Sequence, residues 1–563
     1  MIDYFIELHS KKGDTMLKKL KNEDGFILLI FLSLLLMLTM IGIAAVMTST
    51  TDVNIAGNDL RTINTFYAAE AGLEKVIAEI RNHYASGGVG PPSPLPSDSF
   101  VLGNIAITYN TVDNGPATQE TLTVGAYRGL YALVKSFTIT AEATEKGSQT
   151  KTKIEAEIKD ALVPIFQFAV FYEQDLEILP GPTMTLGGRV HSNRDLYLGA
   201  RSGLKVDSWT TAAGDIYHGR KDDPSNSMPA DVLIKDKFGA YQNMKNGDGT
   251  WLDANDPNWV SESLNRWGGM VEDQSHGMTE LNLPVVVSGD PIDMIKRADG
   301  GNMDSYEHKA GLKMVDGQVL YKNASDNWVD VTATFFADSI VTVGNFYNYR
   351  EYKEYKWVTS YDINIEKLNI SGYYPLNGIL YASRDEVVGT QQAIRLTNGE
   401  ELAGPLTVVT DNPLYTLGDY NKDDKKAAAL FTDALTVLSN SWNDANSDQS
   451  LNNRVASNTT VNAAFLTGNT ETTLGHYNGG LENLPRFLEN WTDETFTYLG
   501  SMVDLWFSEQ ATGAWIYGSP QYTAPDRDWA FDLAFLDPNN LPPGVPHINA
   551  VLKVSWLQRI VSN

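Results

Sequence analysis

The apolar pattern begins abruptly near the N-terminus. Residues 26–47, FILLIFLSLLLMLTMIGIAAVM, hold no charged side chain, and Ser33 and Thr39 are their most polar members. As a helix rising about 1.5 Å per residue, this run spans a hydrocarbon core of about 30 Å. It is too long and too uniform for a buried core helix. Lys18, Lys19 and Lys21 precede it, which predicts a cytoplasmic N-terminus and an exported remainder. The pattern then turns amphipathic without a break. Leu60, Ile63, Tyr67, Leu73, Val76, Ile77 and Ile80 recur at three- and four-residue steps, with Asp59, Arg61, Glu70, Glu74, Lys75 and Glu79 mostly off that stripe. Gly87, Gly88, Gly90, Pro91, Pro92, Pro94 and Pro96 end it. Residues 26–84 therefore read as one helix roughly 90 Å long, its first half in lipid and its second on a domain. A cleaved secretory signal has a shorter apolar stretch and no such continuation.

Beyond a Gly/Pro linker at 85–97 the period shortens. Residues 105–110 and 137–143 alternate or run in β-branched and aromatic residues, and 151–158 (KTKIEAEI) alternates cleanly. EKGSQ (145–149) supplies the turn of a hairpin. A small sheet over 98–162 is expected to pack on the helix. From 163 onward, short apolar runs are separated by Gly, Asn and Asp. Asp195-Leu196-Tyr197 returns as Asp215-Ile216-Tyr217, and GILYA (378–382), LTVVTDNPLYTLGDY (406–420), VNAAFLTGN (461–469) and FTYLGSMVDLWFS (496–508) repeat the texture. The expected fold class is mainly β: the N-terminal helix, the small sheet, then a parallel β-helix or β-solenoid-like body over 163–302 and 377–547. A β-sandwich with insertions is the alternative. Residues 303–376 read as an inserted β element, with its strands in FYNYREYKEYKWVTSYDINIEKL. A helix is expected at 425–442, because Phe431, Ala434, Leu435, Leu438 and Trp442 share one helical face. Residues 548–563 read as a C-terminal strand or tail.

Two stretches carry a family resemblance. MLKKLKNEDG (16–25) is a short basic leader ending in Gly before Phe26, and TSTTDVNIAGNDLRTINTFYAAEAGLEKV (48–76) contains AGN and AAEAGLE. Together they resemble the start of PilX-type minor pilins of the type IV pilus. Residues 1–25 then form a cytoplasmic leader, with Met16 an alternative start. The resemblance implies prepilin-peptidase cleavage between Gly25 and Phe26, methylation of the new N-terminus, and a single-pass stay in the bacterial inner membrane before entry into a pilus or pseudopilus at the cell surface. It implies other major and minor pilins as partners, packed in the filament through Phe26, Ile30, Leu60, Ile63, Tyr67 and Leu73. Major pilins carry Glu at the fifth mature position, where this chain has Ile30. An unpaired carboxylate in the bilayer costs roughly 2.5–3.5 kcal/mol. A subunit with no neighbour ahead of it is better without one, which favours a tip or initiation role. The body resembles a domain found downstream of PilX-type helices in bacterial genomes. That likeness rests on DLEILPGPTMTLGGRVHSNRDLYL, FYNYREYKEYKWVTSYDINIEKL, PLTVVTDNPLYTLGDYNKDDKKAAALFTDALTVLSNSWND and YNGGLENLPRFLENW. It supports the architecture and supplies no chemistry.

Composition narrows the chemistry. The 563 residues suggest two to four domains. A net charge of −27 repels nucleic acid. The absence of Cys excludes disulfides, thiolate metal sites and Cys nucleophiles. No cofactor is expected. NGDGTWLDANDPN (246–258) offers oxygens for adventitious Ca²⁺ without the EF-hand spacing. His191, Asn193 and Asp195 share a strand face and could converge, as catalytic groups or as a stacked polar corner. His276 stands alone, and no HExxH motif occurs. Asp419, Asp423 and Asp424 form the densest acidic cluster, either hydrolytic carboxylates or caps of the helix expected after them. Trp491, Tyr498, Trp506, Phe507, Trp515, Tyr517, Tyr522, Trp529 and Phe531 are core residues or an adhesive, carbohydrate-stacking surface. The leading expectation is a non-enzymatic minor pilin presenting a β body to a surface or carbohydrate ligand. The alternatives are a membrane-anchored carbohydrate-active β-helix enzyme and a tethered binding module never built into a filament.

Overall fold

The computed structural model describes residues 23–85, 91–123, 127–148, 150–226, 228–281, 289–298, 301–350 and 356–560. The expected leader lies outside the described residues as far as residue 22, and so do the central linker residues 86–90.

One helix runs from Glu23 to Ala85. Its few polar side chains in the apolar half are satisfied within it. Ser33 and Thr39 donate to the carbonyls of Leu29 and Leu36, both at 2.8 Å. The second half docks on a sheet through Thr65, Ala68, Ala69, Leu73, Val76, Ile77 and Ile80. Small residues let the two elements approach: a Cβ on Gly72 would lie 2.8 Å from Ile107. The buried face is not the whole stripe expected from the sequence. Leu60, Ile63 and Tyr67 are exposed. At about 100° per residue, Tyr67 lies about 120° around the axis from Leu73, so one straight helix cannot bury both on a flat sheet.

That sheet is antiparallel, in the order Ser97–Leu102, Ile105–Asp113, Tyr131–Glu145, Lys151–Pro164 and His547–Ile560, with Thr118–Thr121 beside Tyr131–Glu145. Lys151–Pro164 turns Ile154, Ala156 and Ile158 toward the helix. Its outer neighbour comes from the far end of the chain: pairing runs from His547↔Pro164 to Ile560↔Thr152. The C-terminal segment is therefore an edge strand of the head, not a free tail.

Between Pro164 and His547 the chain coils. Phe168–Tyr172, Arg189–Ser192 and Thr210–Ala212 pair in parallel. So do Leu176–Ile178, Leu196–Leu198 and Ile216–His218, and Met184–Leu186, Leu204–Val206 and Val232–Lys235. Three successive coils thus contribute one strand each to three sheets. A second stack runs through Leu312–Val315, Ile379–Ser383, Leu406–Val409, Ala428–Thr432, Ala464–Thr467 and Met502–Asp504, again all parallel. Met502–Asp504 then pairs with Phe168–Tyr172. One twelve-stranded sheet therefore crosses both stacks. The chain enters at its middle, winds out to Val271–Glu272, crosses to Leu312–Val315 at the other side, and winds back to the seam. These ladders are parallel, unlike the antiparallel pairing of a β-sandwich.

Two expectations need correction. The helix placed at 425–442 is absent: Ala428–Thr432 and Leu435–Leu438 are strands, buried at every position. A strand covered on both faces loses its alternation, and a short apolar run then fits helical spacing by chance. The insertion at 303–376 is not all β. Val341–Tyr347 and Trp357–Asn364 form a hairpin, but the text expected to continue that strand becomes the helix Ile365–Ile370, capped by Asn364 Oδ1 accepting from the Lys367 N–H at 3.0 Å. Trp357–Asn364 and Leu312–Val315 also pair in parallel with body strands, so this region extends the stack.

Candidate functional site

The helix presents two surfaces of different kinds. From Phe26 to Met47 its large apolar side chains, Ile30 among them, are exposed all round, and the helix is long and apolar enough to cross a membrane. Nearer the head, Leu60, Ile63 and Tyr67 remain available to a neighbour, whereas Leu73 does not. Leu73 is 1% exposed beneath the head sheet, so its expected place in filament packing is withdrawn. The sequence missed an addition to this surface. Trp556 of the last strand lies 5.8 Å from Phe66, ring centre to ring centre, and Val554, Trp556 and Leu557 are exposed. The helix is locked to the head by the buried Thr65 and Thr152 hydroxyls, 2.8 Å apart.

In the first stack, polar corners repeat with the coils. The Asp195 N–H donates to Asp175 Oδ1 at 3.0 Å, and the Asp215 N–H donates to Asp195 Oδ1 at 2.9 Å. Tyr197 and Tyr217 stack above them at 5.3 Å. The first rung, Asp175-Leu176-Glu177, went unnoticed in the sequence although it lies twenty residues ahead of the second. His191 and Asn193 do meet, with Nε2 and Oδ1 2.9 Å apart, but Asp195 turns away into its ladder. Burial lowers the His191 pKa to about 4 against the opposing pull of Asn193. The ring is therefore neutral near pH 7 and unsuited to proton transfer there. Asn193 instead fastens the neighbouring segment, donating to the Leu281 carbonyl at 2.8 Å and accepting its N–H at 2.9 Å.

His276 is not isolated. Its Nε2 lies 2.6 Å from Ser263 Oγ and its Nδ1 lies 2.8 Å from Asp273 Oδ1, the connectivity of a hydrolytic triad. Burial alone would raise the Asp273 pKa, but hydrogen bonds from His276 and Trp259 outweigh it and hold the carboxylate low. The nucleophile position is sealed, however. Ser263 is 0% exposed, within the helix Trp259–Trp267, and Asp273 and His276 form a reciprocal cap on the turn Gln274–His276. A reacting carbonyl has no room to approach. A fluorophosphonate probe is expected to leave Ser263 unmodified in the folded chain, read by mass spectrometry of its peptide. Labelling there would overturn the reading as a closed structural relay.

The acidic cluster disperses. Asp419 Oδ1 accepts from the Thr460 N–H and Oδ2 pairs with Lys422, both at 2.7 Å. Asp424 pairs with Lys426, and Asp423 lies exposed in the strand Leu414–Asp423. No helix follows for these residues to cap. Among the described residues no three His, Asp or Glu side chains converge as a metal site.

Buried acids occur elsewhere, at coil corners. Burial raises the Glu482 pKa from 4.5 to about 7, with Arg527 and the Leu179 N–H opposing and Glu177 assisting. The folded state thus keeps this proton up to about pH 7, while the unfolded chain releases it near 4.5. Stability should fall as pH rises between those values and stay lowered above pH 7, by roughly 3 kcal/mol at most at 1.36 kcal/mol per unit. Glu482→Gln is expected to melt higher than the parent at pH 8 and the same at pH 4. An equal melting difference at both pH values would refute the assignment.

Of the C-terminal aromatics, Trp491, Tyr498, Trp506, Tyr522, Trp529 and Phe531 are core. Only Phe507, Trp515 and Tyr517 keep appreciable surface, and the rings of Trp515 and Tyr517 stack at 6.2 Å.

The N-terminal region is one long helix, apolar for its first half and docked on an antiparallel head for its second. Residues 24–74 match the family model described as PilX N-terminal. That N-terminal segment is therefore PilX-like, and a large further domain follows it. No curated protein matches it. Among solved structures, the competence-associated pilin ComZ from Thermus thermophilus aligns over 89% of this chain and 98% of its own, at 12% identity and a TM-score of 0.26. A superposition at that score is too loose to define a shared fold.

Proposed function

We propose that the chain is cleaved by prepilin peptidase between Gly25 and Phe26, is held in the bacterial inner membrane with its body outside, and acts at the tip of a filament or in its initiation without enzymatic activity. The observation that carries this reading is the uncharged helix surface at Ile30, directly behind the Gly-Phe junction. A shaft subunit offers a carboxylate at that position to the N-terminus of its neighbour, and Ile30 offers none. The size of the body supports the same reading. It occupies most of the chain between Pro164 and His547, more than a repeating shaft can easily pack, which favours an end. The sealed Ser263 and the dispersed Asp419, Asp423 and Asp424 favour a binding role over hydrolysis.

N-terminal sequencing of protein from its native host is expected to begin at Phe26, and immunogold on sheared filaments to label ends. Retention of Lys18 to Gly25 would reject the pilin processing. Label spaced along the filament would reject the tip position.

A further inference from the structure

The twelve-stranded sheet crosses the seam between the two stacks, but the three-stranded sheet stops there at Leu176–Ile178. A strand edge left open is a template for stray pairing. This one is covered from the second stack. Residues 470–480 leave that stack after Ala464–Thr467 and return through the turn Leu481–Asn483, which packs against Leu176–Ile178. The loop is braced within itself: Asn478 Nδ2 donates to the Thr470 carbonyl at 2.7 Å, and the Asn478 N–H to Thr472 Oγ1 at 3.2 Å. Its ties to the first stack are few. The Gly475 N–H donates to the Asp222 carbonyl at 3.2 Å, and the Arg220 guanidinium lies 4.5 Å from the Tyr477 ring centre. Just past the loop, Glu482 Oε1 accepts the Leu179 N–H at 2.9 Å. Gly479 and Gly480 stand at φ +92° and +62°, which glycine adopts at little cost, so the return contains two adjacent backbone pivots.

Glu482 is the weak point of this closure. Its side chain is buried, and among the described residues Oε2 has no hydrogen-bond partner and the carboxyl forms no ion pair. A second buried acid, Glu177, faces it from the covered edge, with Oε2 accepting the Lys221 N–H at 3.2 Å and Thr472 beside it. Tyr477 faces it from the loop and Tyr172, with Arg486 alongside, from the neighbouring strand. Arg527, on Asp526–Phe531, is the cation that acts on it. Arg220 is engaged by Asp222, at 2.8 and 2.7 Å. One guanidinium thus stands against two buried carboxyls, an arrangement that disfavours ionising both. Burial first, with Glu177 assisting, pushes Glu482 up to about 7 against Arg527 and the Leu179 N–H. Burial likewise raises Glu177 against Thr472 and the Lys221 N–H. An ionised Glu482 gains water only where the segment around it lifts.

We propose that residues 470–480 form a strap across the seam that is shut in acid and opens toward mild alkali, with the Glu482 carboxyl as its latch. The closed strap holds the Glu482 proton up to about pH 7, whereas an open strap releases it near the ordinary 4.5. Closure is therefore strongest below pH 4.5 and weakens as pH rises, the closed-to-open ratio falling by about 300-fold at most once pH is well above 7. Opening bares the edge Leu176–Ile178 and enlarges the cavity of about 220 Å³ that the strap walls with Thr470, Glu471 and Thr472. The parallel ladders on either side stay paired, so the event is local. It requires no filament, and the proposed tip position stands or falls separately.

The test is hydrogen exchange with mass spectrometry on the full chain in detergent micelles, at pH 5 and pH 8, corrected for the intrinsic rate. Amides of 470–482 are expected to lose about tenfold or more of their protection at pH 8, while Ala428–Thr432 keep theirs. Glu482→Gln is expected to hold its pH 5 protection at pH 8. Glu471→Gln and His476→Gln remove exposed titratable side chains of the strap itself and are expected to keep the parent's response. A second readout leaves the latch intact. The chain has no Cys, so Leu474→Cys, at a side chain 81% exposed, takes one spin label, whose mobility is expected to rise with a midpoint near pH 7. The proposal is overturned if 470–482 are equally protected at both pH values or if the label's mobility is flat from pH 5 to 8. It is also overturned if Glu482→Gln responds as the parent does, if the response vanishes in Glu471→Gln or His476→Gln, or if the whole body loses protection together.

Discussion

Ending the chain at residue 546 is expected to unfold the head while the coils stay intact. The strand His547–Ile560 belongs to two cores at once. Ile548 and Ala550 pack into the body, and Val551 packs beneath the helix. Burial of Ile548 and Val551 alone is worth about 3–6 kcal/mol. Removing the strand also strips the backbone partners from one side of Lys151–Pro164 and removes the Lys553 contact to Glu74 of the helix at 2.9 Å. The newly bared edge is a template for aggregation. Limited proteolysis of the truncated chain should cut rapidly within 97–164 and slowly within 168–531. Equal protection of both regions, as in the full chain, would show that the head holds without its last strand.

Arg395→Met is expected to destabilise the second stack by about 3–5 kcal/mol. The Arg395 side chain is 4% exposed and bridges two carboxylates: Nε to Asp362 at 2.9 Å, and Nη1 to Asp444 at 2.7 Å. Its guanidinium also lies 4.8 Å from the Phe346 ring centre. Gly344 makes room for it, because a Cβ there would stand 2.5 Å from Nη2. Met fills similar volume but leaves two acids facing each other in a poorly solvated corner. Thermal melting should show the loss, and adding Asp362→Asn with Asp444→Asn should recover most of it. If the single variant melts like the parent, the corner is wetter than its burial indicates.

The sequence reading was strongest where physics is local. A run without charge from Phe26 to Met47 predicts a helix whatever follows it, and the helix is there with its large apolar side chains exposed. The alternation of KTKIEAEI reports a half-buried strand because its two faces meet different surroundings. The recurrence of Asp195-Leu196-Tyr197 at Asp215 reports coils because each Asp must reach the next backbone N–H. The same reasoning failed at residues 425–442, where burial on both faces removed the alternation that distinguishes strand from helix.

By itself, then, the sequence predicted the uncharged helix, the helix that continues it and the absence of thiol chemistry, and it left a parallel body open against a β-sandwich. The helix follows from a side-chain pattern that repeats every few residues, and the absence of thiol chemistry follows from composition alone. Only the tertiary structure decided which helix face is buried, that Tyr67 stays free while Leu73 does not, and that His547–Ile560 closes the head beside Lys151–Pro164. It alone brought Ser263 to His276, and Asp504 to Tyr172 across the seam. Such contacts join residues far apart in the chain. Their pairing is set by how whole coils stack and by which edges remain to be covered, and no local pattern of hydrophobic and polar positions encodes that choice.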